Sequence, residues 1–429
     1  MAAEQAHLPV RHKALATMAI MAAMVMQVLD TTIVNVALPH MSASLSATQE
    51  TISWVLTSYI LASAVAIPVT GWLADRIGAK RLFILSVGTF TIASILCGIA
   101  QNITEMVLFR TLQGVGGAFL GPLAQTLMLD INKPNEQAKA MSVYGMGVMI
   151  GPIMGPIVGG YLTEWFDWRW CFFVNVPVGI VCLFGLFTLL PEKELKRRDF
   201  DLFGFAMLAI GLCALQLMLH RGQHADWFSS IEIWIEGAVA VCGLWIFLVH
   251  TATAKKPLFA PELFADRIFT RAAVFMFIIG MVMFAAMALL PSMLEGLFGY
   301  PVVETGEILA SRGVGILATM ALSGKIVGKV DARLMVAGGF ALSAWSLYMM
   351  TGWSLEQSWM PFVLTGLLQG LGIGLVFVPL QVLAFGTLPP SSRTEGAAVL
   401  NLTRNIGSSI GIAIVVALVA PHKQVSHVD

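Results

Sequence analysis

One carboxylate stands alone in a long apolar stretch of the chain. Asp30 lies in Val28-Leu29-Asp30-Thr31-Thr32, about two thirds of the way along the first apolar run. A carboxyl group in apolar surroundings can take up and release a proton, and an ionisable group at membrane depth is costly unless it has a function. We predict that Asp30 couples the protein to protons or another cation. A hydrogen bond between helices, or a position near the outer interface, is the alternative.

An arginine and a glutamine stand one turn apart in another apolar run, LFRTLQGVGGAF. Arg110 is expected near the inner third of this run, where it must face a cavity or a partner. Gln113 follows three residues later and so lies on the same helical face. The pair is predicted to tune a nearby acid or to form part of a proton relay. Snorkelling of Arg110 to the inner interface is the alternative.

Two further arginines lie inside apolar runs in the last third of the chain. Arg312 stands in ILASRGVG, and Arg404 stands in LNLTRNIGSSIG. Either side chain can bind an anionic group of a substrate or order a gate, and a structural role in bundle contacts is equally open.

A stripe of small residues and prolines marks one run, YGMGVMIGPIMGPIVGG. Small residues four apart form a helix face that lets backbones approach closely, and prolines bend a helix. We expect a tightly packed helix at the bundle interface that seals against proton leak and packs on the opposite bundle, with plain packing as the alternative. The residues of this stripe are Gly147, Gly151, Pro152, Gly155, Pro156 and Gly159.

A basic loop, GWLADRIGAKR, joins the second and third apolar runs. Its acid, Asp75, can accept from a helix N-terminus or pair with an arginine, so the loop is predicted to latch an inner gate. A basic turn that only fixes topology is the alternative. The candidate gate residues are Gly71, Asp75, Arg76, Gly78, Lys80 and Arg81.

These residues must be positioned by membrane-spanning helices. The chain is 57% apolar and 12% charged with a mean hydropathy of +0.81, which excludes an ordinary soluble domain. About 20 apolar residues cross a bilayer, and thirteen such runs follow one another. Runs this long are helices rather than barrel strands. They lie near 14–38, 52–73, 82–100, 106–129, 139–163, 170–190, 202–220, 232–250, 271–294, 304–324, 334–352, 361–386 and 397–420.

The basic residues orient these spans. If the N-terminus is cytoplasmic, only Arg169, Arg221 and Lys423 of the 25 Lys and Arg fall in outer loops, and most of the rest fall in inner ones. The predicted protein is therefore a multi-pass membrane protein with its N-terminus in the cytoplasm. Thirteen spans leave the C-terminus outside. The net charge of zero offers no basis for binding nucleic acid.

The chain repeats itself weakly. Gly71 in the basic loop corresponds to Gly324 in GKIVGKVDAR, and the QGVG beginning at Gln113 corresponds to the QGLG beginning at Gln369. In the segment before QGLG, Gly366 occupies the position that Arg110 occupies before QGVG. We predict two related bundles: a first half of six helices (1–190), a hairpin of two helices (191–260), and a second half of five helices with the last one missing (261–429).

Taken together, these motifs resemble the major facilitator superfamily. GWLADRIGAKR is similar to its loop signature, LFRTLQGVGGAF to its proton-coupling motif, GPIMGPIVGG to its antiporter motif, and LDTTIVNVALP to a signature of drug:proton antiporters. WRWCFFVNVPVG and the hairpin resemble the fourteen-span, EmrB-type branch. The chain departs from that branch because it stops after thirteen spans.

The resemblance implies two bundles around a central cavity, and roles for the candidate residues. It assigns proton coupling to Asp30 and Arg110, the antiporter motif to the glycine-proline stripe, and the gate to Asp75 and Arg76. EmrB-type pumps work with a periplasmic adaptor and an outer-membrane channel, so such a partnership is expected here.

The predicted function is export of hydrophobic or amphipathic compounds in exchange for protons, by alternating access. No Walker sequence, metal-ligand cluster or cofactor motif is evident, so the proton gradient is the predicted energy source. The expected partners are small molecules, protons and lipid. An uptake symporter of the same fold and a non-transporting fragment remain alternatives. An enzyme acting on lipid is disfavoured because clustered catalytic residues are lacking.

Overall fold

The structure is a computed structural model that describes residues 8, 10–192, 195, 198–222, 227–354 and 357–425. Within these residues the chain folds into helices and short connections, without a β-strand. The predicted outer placement of the C-terminus falls partly on 426–429, which lie outside the described residues.

All thirteen predicted spans are helical in the described part of the chain. Spans 1, 3 and 5 are single helices, whereas spans 2, 4 and 6 each contain a short break. In the first half the helices are Lys13–Ser44, Gln49–Ala66 continued by Thr70–Ile77, Ala79–Ile99, Ile103–Ala118 continued by Leu120–Asp130, Gln137–Trp165, and Trp170–Phe173 continued by Asn175–Leu189. The hairpin is Leu202–Arg221 and Ile231–Thr253, and the second half is Pro261–Ala265, Arg267–Gly296, Val302–Ile326, Ala332–Met350, Met360–Gly386 and Arg393–Val425.

Ten of the described spans are long and apolar enough to cross a membrane. The other three are span 4, which is interrupted at Phe119, and spans 10 and 11. Large apolar side chains such as Phe184, Phe187 and Trp245 are exposed on the outside of the bundle. Such a surface suits lipid rather than water. The prediction of an all-helical, multi-pass membrane protein is confirmed.

Polar residues at the helix ends explain where several spans begin. Thr48, Asn102, Asp201, Ser230 and Asp266 each cap the first turn of a helix by accepting a backbone N–H with the side chain. These caps satisfy groups that no residue within the helix can reach. These helix starts coincide with the connections between apolar runs that the sequence predicts.

The two halves repeat the same packing. In the first half, span 1 packs on span 5, span 2 on span 4, and span 3 on span 4; in the second half, span 9 packs on span 13, span 10 on span 12, and span 11 on span 12. The predicted internal repeat therefore corresponds to a repeat of structure. The hairpin helices pack on each other, and span 7 also contacts spans 2 and 13. The boundaries at 190 and 260 stay predictions.

The halves meet through the fifth helix of each. Span 5 packs on spans 10 and 12, and the start of span 13 packs on the second part of span 4 and on the end of span 2. The hydrogen bonds between the two halves lie toward one end of the bundle, the end at which the basic loop also lies. In the predicted orientation this is the cytoplasmic side.

Candidate functional site

The centre of the first half holds a buried carboxylate with three donors. Asp30 is fully buried, and its Oδ2 accepts from Arg110 Nη1 at 2.7 Å. Its Oδ1 accepts from Gln113 Nε2 at 2.9 Å and from Asn175 Nδ2 at 2.7 Å. All three donors are side-chain N–H groups, so the carboxylate oxygens act as acceptors in every bond of this network. Adding a proton to it must disturb these bonds.

Arg110 has hydrogen-bond and aromatic partners on several sides. Its Nε donates to the Val55 carbonyl oxygen at 3.2 Å, and its Nη1 also donates to Gln113 Oε1 at 2.7 Å. The guanidinium lies 4.4 Å from the centre of the Tyr59 ring and 5.8 Å from that of Phe172. Arg110 is only 1% exposed, so the alternative of snorkelling to an interface is wrong. The prediction that Gln113 shares its helix face is confirmed.

The expected depth of Arg110 is also wrong. Arg110 lies two turns after the start of span 4 at Ile103, at the end that adjoins span 3. In the orientation predicted from the basic residues this is the outer part of the span, not the inner third. The correction follows from the direction of the helix, and it places Arg110 level with Asp30.

Glycines bring span 4 close enough for this network to form. A Cβ atom added at Gly114 would lie 2.6 Å from the Tyr59 carbonyl oxygen, and one added at Gly116 would lie 2.9 Å from the Phe90 nitrogen. Larger residues would therefore push span 4 away from spans 2 and 3. The glycines after Gln113 are thus required for backbone contact, and they set the reach of Arg110 to Asp30.

Span 6 supplies a member of the network that sequence reasoning missed. Asn175 bridges Asp30 and Ser94, whose hydroxyl donates to the Phe172 carbonyl oxygen at 2.8 Å. A signal existed, because Asn175 is an isolated amide in the apolar motif WRWCFFVNVPVG. Its partner could not be known before the packing of span 6 on spans 1 and 3 was seen.

The glycine stripe of span 5 packs on span 1 of the same half. A Cβ atom at Gly155 would overlap Thr32 Oγ1, one at Gly151 would overlap Val28 Cγ1, and one at Gly159 would lie 3.1 Å from the Ile33 carbonyl oxygen. Gly147 likewise meets a side chain of span 1, and Thr32 donates to the Gly151 carbonyl oxygen at 3.1 Å.

The expectation that this stripe packs on the opposite bundle is therefore wrong. Four-residue spacing defines a close-packing face but not the helix that it meets. The contact instead holds the turn of span 1 that carries Asp30, because Val28 and Thr32 flank it. Pro152 and Pro156 lie off this contact face inside a continuous helix, and Pro156 is exposed.

Other faces of span 5 do reach the second half. A Cβ atom at Gly145 would lie 3.0 Å from the Phe377 ring, and Ile153 lies against Gly313 of span 10. Ser142 donates to the Met320 carbonyl oxygen at 2.6 Å. Span 5 thus contacts Asp30's helix with one face and the other bundle with another, as the expected place at the bundle interface requires.

The predicted basic loop is mostly helical in the structure, because residues 71–77 extend span 2 and residues 79–81 already belong to span 3. Gly78 has φ of 94°, a conformation that favours glycine, and it separates the two helices. Arg76 lies 5.1 Å from the Trp72 ring centre, and Lys80 lies 5.8 Å from that of Phe187. Arg81 pairs with Glu192 at 3.2 Å. The arginine and lysine residues therefore bind locally, within the first half and the segment that follows it.

The contact between this loop and the second half is made by Gly71 and Glu395. A Cβ atom at Gly71 would lie 3.2 Å from the Cα and Cβ atoms of Glu395, at the start of span 13. Glu395 accepts from Arg198 at 3.1 Å and from the Ala260 N–H. Asp75 is half-buried near this group and repels the Glu395 charge. Its predicted pairing as a latch stays a prediction.

Two further polar clusters join the halves, and sequence reasoning missed both. Asp130 and Arg393 form a buried ion pair at 3.2 Å. Deeper in, Gln125 of span 4 bonds to both Gln381 and Asn401. Charges at the predicted ends of spans resemble interfacial residues, so their pairing across the halves had no sequence signal.

The two arginines of the second half differ in their surroundings. Arg404 donates to Asn401 Oδ1 at 3.0 Å and so belongs to the polar cluster between the halves. Arg312 lies away from that cluster and donates through Nη2 to the Met283 carbonyl oxygen at 3.0 Å. The structure therefore brings Asp30, Arg110 and Gln113 together, and it keeps Arg312 apart from them. No group of three or more potential metal ligands occurs among the described residues.

Comparison with known proteins identifies the family. The model of the Major Facilitator Superfamily matches residues 20–412. The chain belongs to the major facilitator superfamily. It is thus a membrane transporter, and the predicted two-bundle class of fold is confirmed.

Curated relatives cover almost the entire chain. The multidrug export protein EmrB of Escherichia coli K12 is 36% identical over 421 residues, which are 96% of this chain and 81% of that protein. The fatty acid resistance protein FarB of Neisseria gonorrhoeae is 35% identical over 416 residues, 96% of this chain and 82% of that protein. The resemblance to EmrB-like transporters is therefore confirmed.

Solved structures agree on the fold. The human organic anion transporter MFSD10 superimposes with a TM-score of 0.67 at 13% identity, covering 94% of this chain and 92% of that one. The proton:xylose symporter XylE superimposes with a TM-score of 0.66 at 12% identity, covering 97% and 90%. At these identities the likeness concerns the fold alone.

Proposed function

We propose that this protein exports hydrophobic or amphipathic compounds across a bacterial inner membrane in exchange for protons. The observation that carries the proposal is the buried network of Asp30, Arg110, Gln113 and Asn175 in the first half. The names of the EmrB relatives support multidrug export, and FarB's name adds fatty acid resistance.

The network suits proton coupling because protonation and structure are linked there. A proton that reaches Asp30 neutralises the carboxylate and removes the ionic partner of Arg110. Arg110 is then a buried charge that keeps its bonds to Val55 and Gln113 but loses Asp30. Since an unpaired buried charge is costly, the protonated protein favours a different arrangement of span 1.

The glycine contact gives this change a route to the other half. Thr32, two residues after Asp30, is bonded to span 5, and another face of span 5 packs on spans 10 and 12. A shift of span 1 therefore displaces the helix at the bundle interface. The halves are joined on the predicted cytoplasmic side, so the structure corresponds to the state in which that side is closed. Rocking about this interface exposes the other side in turn.

The remaining features belong to the same proposal. The N-terminus is cytoplasmic in it, the proton gradient is the sole energy source, and no cofactor takes part. Export through an adaptor and an outer-membrane channel is included because of the likeness to EmrB. The uptake symporter is the second candidate, and the fold allows it because XylE has the same architecture.

Transport in proteoliposomes tests the proposal. Under an imposed pH gradient, the native protein should move a cationic dye opposite to the proton flux, and an uncoupler should abolish the movement. Asp30→Asn should lose gradient-driven transport, whereas Asp199→Asn, at an exposed loop acid, should retain it. Dye movement in the same direction as the protons would favour symport. Undiminished gradient-driven transport by Asp30→Asn would exclude the assigned coupling residue.

A further inference from the structure

An aromatic side chain of span 2 lies against the guanidinium of Arg110. The centre of the Tyr59 ring is 4.4 Å from that guanidinium, and Tyr59 is only 4% exposed. An aromatic face attracts a cation, and the attraction is stronger when both groups are removed from water. Tyr59 is therefore a second partner for Arg110, and this partner does not depend on the charge of Asp30.

Two of the glycines that follow Gln113 shape span 4 around this tyrosine. A Cβ atom at Gly114 would lie 2.6 Å from the Tyr59 carbonyl oxygen, and one at Gly117 would lie 2.5 Å from the Tyr59 hydroxyl oxygen. The backbone and the hydroxyl group of Tyr59 therefore both lie where only a glycine leaves room. The contact between Tyr59 and Arg110 is thus fixed by the packing of spans 2 and 4.

A glutamine of span 1 holds the hydroxyl end of the tyrosine. Gln27 Nε2 donates to the Tyr59 hydroxyl oxygen at 3.1 Å. Gln27 precedes Asp30 by three residues, so the two side chains lie on the same side of span 1. Span 1 thus reaches Arg110 by two routes, through Asp30 and through Gln27 with the Tyr59 ring. Only the first route is lost when Asp30 becomes neutral.

The internal repeat supports a link between Tyr59 and the arginine that it covers. A Cβ atom at Gly114 would meet the Tyr59 carbonyl oxygen, and one at Gly370, the equivalent glycine of QGLG, would meet the Arg312 carbonyl oxygen. Tyr59 and Arg312 therefore occupy equivalent positions in the two halves. Span 12 has a glycine at the position of Arg110, and there the residue equivalent to Tyr59 is not aromatic. The aromatic ring thus occurs in the half whose fourth helix carries the arginine.

The titratable side chains that face Asp30 come from four neighbouring spans. They are Tyr59 of span 2, Cys97 of span 3, Arg110 of span 4 and Cys171 of span 6, whereas span 5 meets this turn of span 1 with glycines. Arg110 is the cation of this group, so it loses an ionic partner when Asp30 takes up a proton. A ring that still holds the guanidinium lowers the cost of that state, and the proton is then taken up at a higher pH than without the ring.

We propose that Tyr59, held by Gln27, is a positioning residue that keeps Arg110 in place while Asp30 is protonated, and so sets the pH range in which the protein takes up its proton. The proposal rests on the proposed function, because Asp30 must be the coupling carboxylate. The ring supplies its electron-rich face, and the amide of Gln27 supplies the orientation of the ring. Neither side chain itself carries the coupling proton.

Dye-dependent proton release from the purified full-length protein, recorded over a series of pH values, tests the proposal. The readout is the pH at which release falls to half of its maximum as the solution becomes more alkaline, because deprotonated protein has no proton to give up. Tyr59→Leu should lower this pH by about one unit or more, since it removes a desolvated cation–π contact. Tyr59→Phe keeps the ring and should lower it by less than half as much. Tyr348→Leu, at an exposed tyrosine, is the matched control and should behave as native protein.

Two further changes separate the electrostatics of the ring from its shape and its orientation. A trifluorinated phenylalanine at position 59 keeps the shape of phenylalanine but weakens the electron-rich face, so the half-maximal pH should fall below that of Tyr59→Phe. Gln27→Leu should give the same small shift as Tyr59→Phe. The double variant should shift no further, because both changes remove the same hydrogen bond.

The possible failures are distinguishable. A native half-maximal pH in Tyr59→Leu, or equal values for phenylalanine and its trifluorinated analogue, would overturn the role of the ring. If Tyr59→Leu does not fold, the comparison of the two phenylalanines decides. Additive shifts in the double variant would overturn the orienting role of Gln27. Native protein that binds dye and releases no proton at any pH would overturn the proposed function, and this proposal with it.

Discussion

The two halves of this transporter share their helix packing but differ in how they treat a buried arginine. In the first half, Arg110 is paired with Asp30 and held by Gln113 and Val55. In the second half, Arg312 has a single backbone acceptor among the described residues. The comparison shows that a repeated scaffold can carry different chemistry. One half pairs its buried arginine with an internal carboxylate, and the other leaves two nitrogens of its buried arginine without a partner among the described residues.

The halves also use small residues in the same place for different contacts. In the first half, Gly151 and Gly155 of span 5 meet side chains of span 1 next to Asp30. In the second half, Cβ atoms at Gly407 and Gly411 of span 13 would overlap the backbone carbonyl oxygens of Phe277 and Met281 on span 9. Both contacts let the first and fifth helices of a half approach closely. Only the first contact adjoins a titratable group.

The largest predicted effect is from Gly155→Leu, which breaks the close contact in the first half. The leucine must displace Thr32 and so separate spans 1 and 5, at a cost of about 1–3 kcal/mol or more. We expect loss of folded protein, or protein that lets protons pass without substrate. Proton entry into proteoliposomes and the yield of monodisperse protein measure this.

Gly160→Leu is the matched control for that variant. Gly160 is on the same helix, and a Cβ atom there meets no atom within 4 Å. It should fold and transport normally. If Gly155→Leu also transports normally with tight coupling, the glycine contact does not control the position of Asp30.

A smaller effect is predicted for Arg110→Lys, which keeps the charge in the first half. Lysine lacks the planar fork that bonds Asp30, Gln113 and Val55 together, so we expect the rate of coupled transport to fall about tenfold or more. Dye flux across a series of pH gradients measures the change. Arg271→Lys, at an exposed position, should match native protein. If Arg110→Lys transports at the native rate with the native pH profile, only the positive charge of Arg110 is needed and its planar fork is not.

The smallest predicted effects distinguish the two repeated loop glycines. A Cβ atom at Gly324 would lie 2.7 Å from Ser142 Cβ, whereas one at Gly71 would lie 3.2 Å from Glu395 Cα and Cβ. Gly324→Ala should therefore lower the thermal unfolding midpoint, and Gly71→Ala should lower it less. Thermal unfolding of both variants in the same detergent tests the order. A larger loss for Gly71→Ala would mean that the closeness of the Cβ contact does not set the order of the two losses.

Hydropathy predicted the spans well because a bilayer demands long apolar helices, and isolated charges in those spans marked Asp30, Arg110 and Arg312. The sequence could not predict which residues form hydrogen bonds and ion pairs between different helices. Asn175 reaches Asp30 only because span 6 packs on span 1, and Asp130 reaches Arg393 only because the halves meet there. These contacts join residues far apart in the chain, and no local pattern encodes them.

The two corrected expectations have the same origin. The spacing of the span 5 glycines specified a contact face, but either bundle could have met it. The sequence gives the position of Arg110 along span 4, but its depth depends on the direction of that helix, which begins at Ile103 on the side away from the basic loop. The packing of the helices resolves both, since Thr32 meets Gly155 and Asp30 meets Arg110.

Proton release from the purified protein tests the central claim, that Asp30 is the group whose protonation drives transport, most directly. A transported cationic dye is added to native protein in weakly buffered detergent solution, and the pH of the solution is recorded. Native protein and Asp199→Asn should release protons in proportion to the dye bound, and Asp30→Asn should bind dye while releasing none. Proton release by Asp30→Asn equal to that of native protein would contradict the claim.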